Sequence, residues 1–96
     1  MRAHYLYILQ CADGSYYVGS TEQLDERIKA HNDGRGPKHT ARRRPVRLVY
    51  SEAHEDESTA MERERQIKRW SRAKKRALVQ GDISRLKRLS KSRGSS

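Results

Sequence analysis

HYLYILQCADGSYYVGS, residues 4–20, holds two runs of β-branched and aromatic residues on either side of Asp13-Gly14. Along the first run, His4–Cys11, side chains alternate in an extended chain. Tyr5, Tyr7, Leu9 and Cys11 take one face, and Leu6 and Ile8 the other. Asp-Gly accepts the positive φ of a tight turn, so Tyr16–Ser20 is expected to return antiparallel to the first run. Gly19 within that second strand signals a bulge or a close backbone approach.

Downstream, Ser20-x-x-Gln23 reads as a capping box opening a helix over 22–32, with Gly34 just past its end. Residues 34–45, GRGPKHTARRRP, read as a polar loop. Residues 45–53 form a third strand, with Val46, Leu48 and Tyr50 on one face. A second helix spans 57–70, capped by Asp56 or Ser58. Ser71 caps a third over 72–80, and Gly81 ends it. Ile83, Leu86 and Leu89 allow a further amphipathic turn or two within 82–90, before a frayed tail at 91–96.

The whole chain is 96 residues, enough for one domain. One cysteine precludes an intrachain disulfide and suits a reducing cytoplasm. No apolar run reaches the 18 residues of a membrane span, and no signal peptide is apparent. Val, Ile and Leu number only 15 and Phe is absent, but five Tyr and one Trp add apolar surface. A folded core of modest stability is therefore expected. Lys and Arg number 22 against 12 acids, a net charge of +10. The cations cluster: Arg35, Lys38, Arg42, Arg43, Arg44 and Arg47 lie in an acid-free stretch, and so do Arg85, Lys87, Arg88, Lys91 and Arg93. Such blocks fit a phosphate backbone, with a solvated surface or an anionic membrane as the other readings.

A helical wheel exposes two anomalies. Arg27 and His31 share the stripe of Leu24 and Ile28, which should face the sheet. On the second long helix, Glu64 falls in the stripe of Ala60 and Ile67, while Glu62, Arg65, Gln66 and Arg69 take the wet face. A carboxylate facing a core costs several kcal/mol, of order 2–5, unless it is paired or holds a metal. Glu64 could therefore pair with Arg27 or Lys68, or serve chemistry. Other chemistries find little support. There is no phosphate-binding Gly-Lys-Ser/Thr loop, one Cys and four scattered His offer no zinc spacing, and no Ser sits in a nucleophile elbow.

Tyr5-Leu6-Tyr7, followed ten residues on by Tyr17-Val18-Gly19, then Arg27, His31 and Glu64, resembles the GIY-YIG nuclease superfamily. The resemblance covers roughly residues 4–80 and is to its small stand-alone bacterial members. Tyr5-Leu6 stands where Gly-Ile gives the family its name, and no separate DNA-recognition domain accompanies the motifs. The resemblance implies an α+β fold, a three-stranded antiparallel sheet flanked by helices, with residues 1–82 as the catalytic domain and 83–96 as a basic extension.

It also implies metal-dependent hydrolysis of phosphodiester bonds in DNA, RNA being the other nucleic acid the charge allows. Glu64 would hold a single Mg²⁺ or Mn²⁺, a Lewis acid that steadies the leaving oxygen. Arg27 would grip non-bridging oxygens. Tyr7 would be the general base, which requires nearby positive charge to bring its phenol down from about 10. His31 would orient or deprotonate Tyr7, or act on the water itself. Tyr17 would hydrogen-bond a phosphate or the water, and Gly19 would leave room for backbone close to the substrate. Lys38, Arg42, Arg43, Arg44 and Lys68 would hold the nucleic-acid backbone. The competing expectation is a basic nucleic-acid-binding protein on the same scaffold with little or no activity. A third is a purely structural Glu64–Arg27 pair in a protein of unrelated function. Oligomeric state is not legible.

Overall fold

The computed structural model describes residues 3–94, with side chains over 3–90. Two strands open the chain, β1 (His4–Gln10) and β2 (Tyr16–Thr21), followed by helices α1 (Leu24–Asn32) and α2 (Lys38–Ala41). Strand β3 (Arg47–His54) then precedes α3 (Glu57–Lys68), α4 (Arg72–Gln80) and α5 (Ile83–Gly94). The sheet is antiparallel in the order β2-β1-β3, so the first strand is central and both neighbours are edges. This is the α+β architecture implied by the motifs.

The alternation in β1 sorts two cores. Leu6 and Ile8 join Val18, Ile67 and Leu78 under α3 and α4, with Tyr50 and Trp70 packed alongside. Tyr7, Leu9 and Cys11 join Val46 on the opposite face, against Tyr17, Leu24 and Ile28. Asp13-Gly14 turns the hairpin as expected: Gly14 has φ +87° and Asp13 accepts from the Ser15 backbone N–H at 3.0 Å. Asp56 caps α3 by accepting from Thr59 N at 2.8 Å, and Ser71 caps α4 by accepting from Lys74 N at 3.2 Å.

Four expectations need correction. The capping box at Ser20 does not form: α1 starts from Gln23 without a side-chain cap, because the Ser20 hydroxyl is engaged elsewhere. The 34–45 segment contains the short helix α2, which starts directly after Pro37 at its N-cap. In β3 the one-face reading fails: Ile8 pairs with Tyr50 but Leu9 pairs with Leu48, so a bulge at Val49 reverses parity. Val46 therefore packs with Leu9 while Tyr50 packs with Ile8. Finally, α5 runs three turns, through residues 91–94 expected to fray, and Leu86 docks it on the α3/α4 core. The last two residues of that tail, 95–96, lie outside the described residues.

Candidate active site

Tyr7 stands on the central strand directly opposite Gly19 of β2. Its ring occupies the space over the glycine: a Cβ built there would lie 2.5 Å from the phenol oxygen. The room expected at Gly19 for backbone close to the substrate is taken by the Tyr7 side chain. The phenol points toward α1, where His31 is fully buried.

A chain of buried hydrogen bonds begins here. Tyr7 Oη lies 3.0 Å from His31 Nε2, and His31 Nδ1 lies 2.8 Å from Thr40 Oγ1 of α2. The Thr40 hydroxyl donates to the Pro37 carbonyl at 3.1 Å. With its proton committed there, Thr40 can only accept from His31, which fixes the Nδ1–H tautomer. Nε2 then carries the lone pair and accepts from the Tyr7 hydroxyl. Gly36 makes the middle link possible, since a Cβ there would fall 2.6 Å from Nδ1. The Tyr17 ring lies tilted against that of His31, 5.1 Å between centroids, and His39 lies 6.0 Å from Tyr17.

The electrostatics run against one sequence expectation. Burial pushes the Tyr7 phenol up to about 12, with the neighbouring Tyr17 adding to the rise. The Arg27 guanidinium lowers it but does not prevail, because desolvation of the phenolate outweighs a single cation at the surface. Burial, seconded by Arg27, holds His31 below its ordinary 6.5, so the imidazole is neutral at pH 7. Arg27 itself is exposed rather than packed with Leu24 and Ile28, its charge reaching the phenol from the rim of the helix.

Glu64 approaches from the other face of the sheet. Ser20 pairs with Leu6, so its side chain points toward α3, opposite to Gly19 and Tyr7. There its hydroxyl donates to Glu64 Oε1 at 2.8 Å. Lys68, one turn on, sits 2.6 Å from Oε2. Across the edge strand β2, the Glu64 charge still contributes to raising the Tyr7 phenol. Glu64 does face the sheet, with its side chain 20% exposed.

The structure thus gathers Tyr7, Tyr17, Arg27 and His31, with Glu64 across the strand edge. The expected backbone-binding cations divide. Lys38 and Arg42 are exposed. Arg43 is spent on Asp13 at 2.9 Å and on the His39 carbonyl, and Arg44 on the carbonyls of Ala41 and Asn32. Lys68 serves Glu64. Thr40, Gly36 and Ser20 escaped the sequence reading as site residues. The available signal was weak: Thr40 three residues after Pro37 suits a hydroxyl that bonds back to a helix-start carbonyl.

Comparison with known proteins shows the family of the chain and its relatives. A profile described as "GIY-YIG catalytic domain" matches residues 3–77. The UPF0213 protein SSP2268 of Staphylococcus saprophyticus is 48% identical over 79 residues, covering 82% of this chain and 96% of that protein. A UPF0213 protein of Staphylococcus aureus is 46% identical over the same length and coverage. Among solved structures, the solution structure of the UPF0213 protein BH0048 from Bacillus halodurans has a TM-score of 0.54 at 47% identity, covering 81% of this chain and 83% of that one. The protein EF2693 from E. faecalis has a TM-score of 0.60 at 36% identity, covering 86% and 88%.

Proposed function

The chain belongs to the GIY-YIG family, and on that premise we propose that it is a divalent-metal-dependent endonuclease hydrolysing phosphodiester bonds in DNA. The carrying observation is the relay Tyr7–His31–Thr40–Pro37, a buried proton path of fixed direction ending at a phenol beside Arg27.

The donor set at Glu64 fits a hard cation. Its carboxylate is reachable from solvent and already holds a cationic group, the Lys68 ammonium, at Oε2. Mg²⁺ and Mn²⁺ need only one or two carboxylates and fill the remainder with water and phosphate oxygens. Bound there, such an ion would supply Lewis acidity to the phosphate and charge relief to the leaving oxygen. Ser20 keeps Oε1 oriented and Lys68 yields Oε2.

The other groups move or hold a proton and a charge. Tyr7, with its phenol raised to about 12, cannot act as a preformed phenolate at neutral pH. It acts instead by passing its proton to Nε2 of neutral His31 as its oxygen takes one from the attacking water. The Nδ1–H bond to Thr40 keeps the ring from turning and steadies the imidazolium that forms. Arg27 meets the charge gathering on non-bridging oxygens, and Tyr17 hydrogen-bonds the phosphate or the water. Lys38 and Arg42 hold the backbone on the same side.

The test is nicking of supercoiled plasmid with Mg²⁺ or Mn²⁺. The intact chain cuts, and Glu64→Gln binds but does not. The Lys68–Glu64 pair favours one second reading, a nucleic-acid-binding protein whose acid is kept occupied by its own lysine. Binding without turnover in either metal would establish that reading and end the first.

A further inference from the structure

Away from Tyr7 and Glu64, four arginines converge at the hairpin end of the sheet. Arg47, Arg72 and Arg76 line a groove of about 520 Å³, with Gln10 and Gln80 among its walls. Arg72, Arg76 and Gln80 also wall an adjoining groove of about 490 Å³, which Arg85 of α5 closes. Elsewhere four cations are paired with carboxylates, Arg35 with Asp33, Arg43 with Asp13, Arg63 with Glu52 and Lys68 with Glu64. Among the described residues none of these four arginines has a carboxylate partner. Asp82 lines the second groove, but its carboxylate accepts from the Arg85 backbone N–H at 3.0 Å, capping α5.

Two further features set the groove apart from a merely solvated surface. Arg72 is held in place although exposed: its Nη1 donates to the Gly14 carbonyl at 2.9 Å, and its guanidinium lies 4.9 Å over the Tyr16 ring. Arg47 is likewise braced on Gln10 Oε1 at 2.9 Å. Both then present their remaining donors from fixed positions, so little freedom is lost on binding. Moreover, α4 has Arg72, Lys74 and Lys75 in its first turn and no acid. Cations there oppose the positive end of the helix dipole, an arrangement that local stability disfavours.

We infer that this arginine groove is a second phosphodiester-backbone site, holding the nucleic acid at a distance from the bond that is cut. The inference rests on the nuclease reading for its ligand class. Its concave shape suits a rod of phosphates better than the flat surface of a bilayer. The Gln10–Tyr16 pair lies three residues along β1 from the Tyr7–Gly19 pair, about 10 Å at 3.3 Å per residue. The groove lies on the α3/α4 face of the sheet, opposite to Tyr7 and shared with Glu64, so a backbone seated there approaches the site from the Glu64 side.

Binding in buffer without divalent metal tests it, using duplexes of about 20 base pairs, roughly 68 Å at 3.4 Å per pair. These exceed the molecule's longest extent of 43 Å. DNA and RNA duplexes of one sequence distinguish the two sources of backbone. The Arg76→Gln/Arg85→Gln variant should bind at least one of them more weakly. Its slope of log K against log salt should be shallower by about 1.8, at 0.9 per lost contact. Its thermal midpoint should match the intact chain, since both side chains are exposed. Unchanged affinity and slope overturn the second site while leaving the nuclease reading intact. So does an equal loss in the charge-matched Lys29→Gln/Arg65→Gln variant, which would mean diffuse charge. Loss of binding to phosphatidylserine vesicles with no change on duplexes overturns it in favour of a membrane. If the intact chain binds neither duplex, the site and the nuclease reading fall together.

Discussion

Gly19 and Tyr7 face each other across the β1–β2 ladder so closely that the phenol stands where a side chain on residue 19 would be. Tyr7 is 1% exposed and its hydroxyl is tied to His31, so it has little room to retreat. Gly19→Ala should therefore destabilise the fold by about 1–3 kcal/mol through overpacking. It should also slow nicking by more than the loss of folded protein explains. Urea denaturation and single-turnover rates on one preparation check both. An alanine variant as stable and as fast as the parent would mean that the phenol is not fixed by this contact.

Thr40 holds the far end of the relay. Thr40→Val keeps the shape but leaves the His31 Nδ1–H without its acceptor in a buried place. The expected cost is about 1–3 kcal/mol of stability and roughly 10–100-fold in rate, the usual scale for groups that orient a reacting histidine. Nitrogen-15 NMR of the imidazole should show a pure Nδ1–H tautomer in the parent and a mixture in the variant. A parent found as the Nε2–H tautomer would reverse the direction of the relay.

Lys68 competes with the proposed cation for the Glu64 carboxylate. Glu64→Gln should retain the Ser20 hydrogen bond and the fold while losing at least about 100-fold in nicking, since a ligand matters no less than the groups that orient it. Lys68→Met should lower the metal concentration that gives half-maximal activity, because the carboxylate no longer releases an ammonium first. A rise in that concentration would show that Lys68 assists the site instead.

The pH behaviour follows from three shifts, those of His31, Tyr7 and Tyr50. The folded pKa of His31 is below 6.5, so as pH falls through that value the unfolded chain takes up the proton first. Stability is present above 6.5 and is lost as pH drops toward the folded pKa. Activity is lost over the same range, because protonated Nε2 no longer accepts from Tyr7. Tyr7 and Tyr50 are both raised to about 12, so the stability they contribute is complete below 10 and is lost as pH climbs from 10 to 12. Urea midpoints should thus plateau between about 6.5 and 10, with NMR titration placing the His31 midpoint below 6.5. A midpoint above 6.5 contradicts the neutral imidazole.

Residues 4–20 by themselves determined the hairpin and the division of β1 into two buried faces. A period of two is a property of the extended chain, and Asp13-Gly14 is a local turn. The order of tyrosines, Arg27, His31 and Glu64 likewise named the family before any coordinates. Tertiary structure alone decided what those groups touch. Ser20 has an acceptable local role as a cap, yet its hydroxyl goes to Glu64, 44 residues away. Thr40 shows only its spacing from Pro37, and its part in the site depends on Gly36 letting α2 press against His31. The bulge at Val49 reassigns Tyr50 to the other face, which no periodicity in β3 could announce. The sign of the Tyr7 shift also depended on packing: a cation nearby is legible in the sequence, but desolvation is set by how completely three elements close over the phenol.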